Sequence, residues 1–279
     1  MKTLSFRLVN VFTRGDERLS GNPLCVFEDG RALDAATMQA LALQFNLSET
    51  TFILPSTTAS AGVRIFTPQY EMPFAGHPTL GTAHVSRAMG LAGDSLTLQM
   101  PAGIFPVKAS GRSWTLEASY RSSREVEQPR AALAQMLGVN AQDIGERPLW
   151  ADVGREQLII PLTNEDAVRR AVIRPELLAQ TGAAGAGMAY VFAQSGGRAL
   201  ARFFFSQGNT ALEDPATGSA TANFGAWWLA MGRPLPTSIE ISQGEYTGRP
   251  SLLRLQVDAQ RRIFVSGDVI EIGRGTIEL

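Results

Sequence analysis

The sequence is poor in cysteine and in net charge. A single cysteine, Cys25, occurs among 279 residues, which excludes an internal disulfide and is typical of a reducing compartment. The 25 Lys and Arg residues nearly balance the 26 Asp and Glu residues, and no segment concentrates charge of one sign. Since a nucleic-acid surface needs clustered positive charge, we expect no nucleic-acid partner.

Long apolar segments are also missing. No run approaches the roughly 18 apolar residues that a membrane-spanning helix needs, and the N-terminal residues lack the unbroken apolar stretch of a signal peptide. We therefore expect a cytoplasmic protein without a membrane partner. The apolar fraction of 44% is nevertheless sufficient for a full core, and the length favours two domains.

Local patterns predict alternating helices and strands. Asp34 is a predicted N-cap, and apolar residues recur at helical spacing from there to Asn46. The β-branched segment Thr50–Leu54 predicts a strand directly after Glu49. Because proline is favoured just inside a helix start, a second helix is expected to begin near Pro78. A further helix is expected to open at Asp214.

A short motif occurs twice in the sequence. The segment His77–Ala83 aligns without gaps with Asp214–Ala220, and the strands predicted around each copy favour a duplication. A helix start offers unpaired N–H groups and a partial positive charge, which suit a carboxylate. Ordinary capping explains either start alone, whereas the pair favours a site.

The duplicated motif predicts that the two helix starts face one cleft and bind a small anionic substrate there. Glycines at the starts would let the ligand approach the backbone closely; this interpretation includes Gly81. The predicted substrate-binding residues are Gly76, Pro78, Thr79, Thr217 and Gly218.

Asp214 and His77, the polar residues that begin the two copies of the motif, could each have a structural role instead of a role in the site. Asp214 is an ideal helix N-cap, and His77 lies before a proline in a glycine-rich turn. His84 follows His77 by seven residues, which raises the possibility of a metal site. We expect no metal, because His77 should precede the helix and no third ligand has metal-like spacing.

Glu49 is a lone carboxylate at a helix-to-strand junction. Partial desolvation at the edge of a sheet would raise its pKa toward a value useful for acid/base work. From this segment alone, however, a surface glutamate is the better interpretation.

Longer motifs resemble the PhzF-like family, the relatives of the phenazine-biosynthesis isomerase. They follow the family's order and spacing over nearly the whole chain: Gly21–Pro23, Asn46–Phe52, Arg64–Pro68, Pro73–Ala83, Glu213–Ala220, Gly248–Ser251 and Val265–Ile277. The resemblance implies an α+β, diaminopimelate epimerase-like fold with two pseudo-symmetric halves, each a mostly antiparallel sheet wrapped around a central helix. It also implies a homodimer and no cofactor.

We place the two epimerase-like halves at residues 1–121 and 122–279. The last strand, about residues 270–279, could belong to either half, and its return to the first half is left open.

The resemblance implies a catalytic role for Glu49. In the phenazine enzyme, a glutamate at the matching position moves a proton between carbons of a dihydro-hydroxyanthranilate. The family's other polar site residues match His77, Asp214 and Ser219. The resemblance thereby favours an acid/base role for Glu49 over a surface glutamate.

Epimerases and proline racemases of similar fold use two cysteine thiols near these helix starts. Here the places carry Gly76-His77 and Asp214-Pro215, which excludes two-thiol racemisation. The leading hypothesis is a cofactor-independent isomerase that moves a proton on a small carboxylate. The alternative is a catalytically silent member that binds a small ligand or another protein.

Two departures from the family pattern flank the second motif. Ser206-Gln207 stands where relatives usually show Ser-Pro. Arg202 lies one position before the usual arginine, so that Phe203 takes its place.

Overall fold

The computed structural model describes residues 2–182, 187–208 and 210–279. The chain divides into two compact units, each with both helices and strands. The first comprises Met1–Glu117 with Ser266–Leu279, and the second comprises Ala118–Val265.

The first unit contains two helices and a mixed sheet. In chain order, its elements are β1 (Thr3–Val11), β2 (Asn22–Phe27), α1 (Ala35–Phe45), β3 (Glu49–Leu54), β4 (Ala61–Phe66), β5 (Glu71–Met72), α2 (Gly76–Ala88), β6 (Ser95–Met100), β7 (Gly103–Ser110) and β8 (Ser113–Ala118).

Among its described residues, the second unit has three short α-helices and one of 13 residues. Its elements are β9 (Ser122–Glu125), α3 (Arg130–Leu137), β10 (Leu149–Asp152), β11 (Glu156–Pro161), α4 (Glu165–Arg170), α5 (Pro175–Ala179), β12 (Met188–Ser195), β13 (Arg198–Gln207), β14 (Thr210–Asp214), α6 (Gly218–Ala230), β15 (Thr237–Gln243) and β16 (Ser251–Val257). The last strand, β17 (Ile263–Glu278), leaves this unit and pairs antiparallel with β1.

The same series of strand pairings occurs in each unit. In the first, β2 pairs in parallel with β3 across α1, and β4 pairs in parallel with β6 across α2. In the second, β11 pairs in parallel with β12 across α4 and α5, and β13 with β15 across α6. Antiparallel pairs such as β3–β4 and β12–β13 connect these crossovers.

Helices α2 and α6 are each 13 residues long and mostly buried within their own unit. Helix α2 packs on β1, β2 and β3, and α6 packs on β10, β11 and β16. A helix without a broad polar face is stable only when protein surrounds it. The small and apolar residues of α2 and α6 are therefore consistent with helices that are buried within their own units.

Glycine lets α2 approach its sheet closely. A Cβ at Gly81 would lie 2.5 Å from Leu24 Cδ2 and 3.0 Å from Val11 Cγ2. The expectation that Gly81 admits a ligand is therefore wrong, because the residue faces the strands of its own unit.

The helix bounds test the sequence predictions directly. Helix α1 has Asp34 as its N-cap and Asn46 as its C-cap, as predicted. Helix α2 begins two residues before Pro78, whereas α6 begins at Gly218 and not at Asp214. Among the described residues, none of the helices is long and apolar enough to cross a membrane.

Candidate active site

Glu49 is the first residue of β3 and lies in register with Leu24 of the parallel strand β2. Helix α2 packs across both strands. The fully buried hydroxyls of Thr51 and Thr82 hydrogen-bond at 2.8 Å and tie β3 to α2. Since Thr51 and Glu49 share a face of β3, this bond holds the Glu49 side chain against the helix.

His77, the second residue of α2, meets Glu49 there. The distance from His77 Nδ1 to Glu49 Oε2 is 3.4 Å, and the two side chains are only 6% and 16% exposed. Burial lowers the pKa of His77 to about 3, against the opposing effect of a hydrogen bond with the Pro23 backbone. The imidazole is therefore neutral at physiological pH, and the contact is not an ion pair.

The start of α2 offers backbone donors in place of a side-chain cap. Its N-cap residue, Ala75, has no capping side chain. The Thr79 hydroxyl donates to the Ala75 carbonyl at 2.7 Å, so it serves the helix itself. Pro78 has no N–H. By helix geometry, the amides of Gly76 and His77 lack an intrahelical acceptor and are the donors available to an anion.

Asp214 is the last residue of β14, and the expectation that it caps a helix is wrong. The N-cap of α6 is Thr217, which makes no side-chain bond to the helix. Instead, its hydroxyl donates to the Asp214 carboxylate. Asp214 is thus held beside the start of α6 by a side-chain bond.

Gln243 explains why α6 starts late. Its amide nitrogen donates to the Asp214 carbonyl at 2.8 Å and to Thr217 Oγ1 at 3.0 Å, while its oxygen accepts from the Thr217 N–H at 3.4 Å. These bonds hold residues 214–217 in a non-helical conformation. Because Thr217 Oγ1 accepts from Gln243, its proton is directed to Asp214.

The sequence contained a signal for Gln243 that pattern reading missed. Ile239, Ile241 and Gln243 alternate along β15 and share its buried face. A polar residue on an apolar face of this kind requires a hydrogen-bond partner inside the protein.

Ser219 is the second residue of α6, and its hydroxyl accepts a bond from Gln157 Nε2 at 3.0 Å. Gln157 in turn accepts from Asn223 Nδ2 at 2.8 Å. Sequence reasoning missed both residues. The signals were polar side chains inside the apolar strand β11 and the apolar helix α6.

The displaced arginine has a structural role in the second unit. The Arg202 guanidinium forms an ion pair with Glu213 at 2.7 Å, and both side chains are nearly buried. Phe203 lies directly opposite Asp214 in the β13–β14 ladder. The departure from the family pattern therefore places an apolar ring next to a candidate site residue.

The histidines do not form a metal site. His77 lies inside α2, contrary to expectation, and seven residues of helix separate it from His84 by roughly 10 Å along the axis. His84 instead accepts a bond from Trp114. The described part of the chain has no cluster of three or more His, Cys, Asp or Glu side chains that could hold a metal ion.

Nearly the whole chain is similar to proteins of one known family. Residues 9–274 match the family model described as phenazine biosynthesis-like protein. The chain is 37% identical over 276 residues to an uncharacterised isomerase of Pasteurella multocida, covering 98% of this chain and 93% of that protein. It is 33% identical to a trans-2,3-dihydro-3-hydroxyanthranilate isomerase of Pseudomonas fluorescens, covering 94% and 95% of the two chains.

A solved structure shares the fold over its full length. The phenazine biosynthesis protein of the PhzF family from Bacillus anthracis matches with a TM-score of 0.86 at 22% identity, covering 100% of both chains. Fold and sequence together define the class as isomerases of mixed α and β structure. The chain belongs to the phenazine biosynthesis-like family.

Proposed function

We propose that the chain is an isomerase that moves a proton between two carbons of a small carboxylate of the dihydro-hydroxyanthranilate type. Glu49 takes the proton and returns it. The observation that carries this proposal is the nearly buried Glu49 carboxyl group, 3.4 Å from an imidazole that burial keeps neutral.

The proposed reaction balances within the substrate. A proton leaves one carbon, its electron pair spreads through a conjugated system, and a proton is added at another carbon. Because no electrons are gained or lost, the reaction needs no oxidant or reductant. A single carboxylate can act as base and then as acid when the carbanion is delocalised in this way.

Two further residues that we propose for catalysis, Asp214 and Ser219, lie in the second unit. We also propose that the amides at the starts of α2 and α6 bind a carboxylate. Support comes from the family resemblance and from the hydrogen-bond donors at each start. We also propose a homodimer, on the resemblance alone.

The test is incubation of the protein with trans-2,3-dihydro-3-hydroxyanthranilate in D₂O, followed by NMR of the product. A shuttled proton exchanges with solvent, so deuterium is expected on the carbon that receives it. If a panel of small unsaturated amino and hydroxy acids also binds without reaction or exchange, the proposal fails in favour of a silent ligand-binding protein.

A further inference from the structure

A chain of three side chains in the second unit begins at a backbone carbonyl. Asn223 Nδ2 donates to the Arg155 carbonyl at 2.9 Å and to Gln157 Oε1 at 2.8 Å. Gln157 Nε2 then donates to Ser219 Oγ at 3.0 Å. All four residues belong to the same compact unit.

The carbonyl at one end sets the direction of every bond in this chain. A carbonyl oxygen only accepts, so the Asn223 group that faces Arg155 is its NH₂. The same NH₂ faces Gln157, which must present its oxygen there. The NH₂ of Gln157 is therefore left to face Ser219, whose hydroxyl accepts and keeps its own proton for another partner.

Burial keeps this direction from reversing. Gln157 is 1% exposed and Asn223 is fully buried, so water is not available to either amide. Turning either amide around would bring two oxygens or two NH₂ groups together inside the protein. A buried polar contact of that kind costs the full desolvation of both groups.

Ser219 itself remains partly accessible at the start of α6, where it is neither fully buried nor exposed. The amides of Gly218, Ser219 and Ala220 have no intrahelical acceptor at this position. With its orientation set by Gln157, the Ser219 hydroxyl joins these three amides as a donor at the first turn of α6. A carboxylate offers only acceptors and matches this arrangement.

We propose that Gln157 and Asn223 are positioning residues that make the Ser219 hydroxyl a donor to the carboxylate of the substrate. This inference rests on the proposed function, which places Ser219 in the site. Gln157 and Asn223 do not touch the substrate themselves and act through Ser219.

The test reverses the bond at Gln157. In Gln157→Glu, a carboxylate accepts from Ser219, so the Ser219 proton is no longer available. The matched control, Gln157→Met, has neither donor nor charge and leaves that proton free. The probe is anthranilate, which has the carboxylate and amine of the proposed substrate class. Its ring is aromatic and has no sp³ C–H proton to transfer, so binding is measured without reaction.

We expect Gln157→Glu to weaken anthranilate binding about tenfold, which is the loss of one charge-assisted hydrogen bond. Gln157→Met should weaken it less than about threefold. In a Ser219→Ala background, the effect of Gln157→Glu should fall below about twofold, since the group it acts through is gone. Equal weakening in both backgrounds would show a plain charge effect and overturn the proposal.

Two further measurements keep the test decisive. If Gln157→Glu does not fold, Asn223→Ala frees the Gln157 amide to turn and should weaken anthranilate binding severalfold; unchanged binding would contradict the inference. If the wild-type protein does not bind anthranilate, the proposed carboxylate site fails separately. The side-chain amide resonances of Gln157 should then still shift in Ser219→Ala, and resonances that do not move would refute the direction of the chain.

Discussion

His77 Nδ1 lies 3.4 Å from Glu49 Oε2. The surroundings of His77 make it a weak base. Burial holds the pKa of His77 near 3, below the value of about 4.3 of an ordinary glutamate. The imidazole is thus a weaker base than an ordinary carboxylate, which supports the proposal that Glu49 takes the proton. The neutral ring can still donate a hydrogen bond from one nitrogen and accept at the other.

Burial of His77 predicts how stability depends on pH. The pKa is lowered in the folded state, so the stabilisation is fully present above the unfolded value near 6.5 and is lost as the pH falls toward 3. At about 1.4 kcal/mol per pH unit, the wild type should lose roughly 2–3 kcal/mol more than His77→Gln between pH 6.5 and 4.5. Urea unfolding at both pH values measures this difference. Equal losses in the two proteins would mean that His77 titrates normally.

At the level of helices and strands, the sequence predicted a helix start correctly where the capping hydrogen bond joins neighbouring residues. Asp34 accepts from the Thr37 N–H, and both groups lie within four residues. The start of α6 was misplaced by four residues because Gln243, far along the chain, binds residues 214 and 217. The alternation along β15 indicates that Gln243 is buried, but it does not identify residues 214 and 217 as its partners.

Close packing of α2 predicts the effect of a substitution that helix propensity would favour. Gly81→Ala gains about 1 kcal/mol of helix propensity, but its Cβ would lie 2.5 Å from Leu24 Cδ2. Overpacking costs about 1–3 kcal/mol, so we expect net destabilisation of about 1 kcal/mol by thermal unfolding.

Gly93→Ala is the matched control for Gly81→Ala, because a Cβ at Gly93 meets no atom within 4 Å. It should be neutral or slightly stabilising. An equal or higher stability of Gly81→Ala would show that α2 does not require close contact with its strands.

The two units repeat the same series of strand pairings, but the polar residues near the start of α2 differ from those near the start of α6. The first unit holds the carboxyl–imidazole pair of Glu49 and His77, and the second holds Asp214 with the directed hydroxyls of Thr217 and Ser219. The duplicated motif and the family were predictable from the sequence. Gln157 and Gln243 are polar residues in apolar strands, which was a readable signal, but their bonds to Ser219 and to residues 214 and 217 were not predictable because these partners lie elsewhere in the chain.

The most direct measurement is deuterium incorporation by matched variants. Wild-type protein, Glu49→Gln and Glu117→Gln are each incubated with trans-2,3-dihydro-3-hydroxyanthranilate in D₂O. Glu117 is exposed on β8, so its variant removes the same charge away from the site. The account predicts deuterium in the product with wild type and Glu117→Gln, and a loss of at least about a hundredfold with Glu49→Gln, as for removal of a general base. Turnover and exchange by Glu49→Gln at the wild-type rate would contradict it.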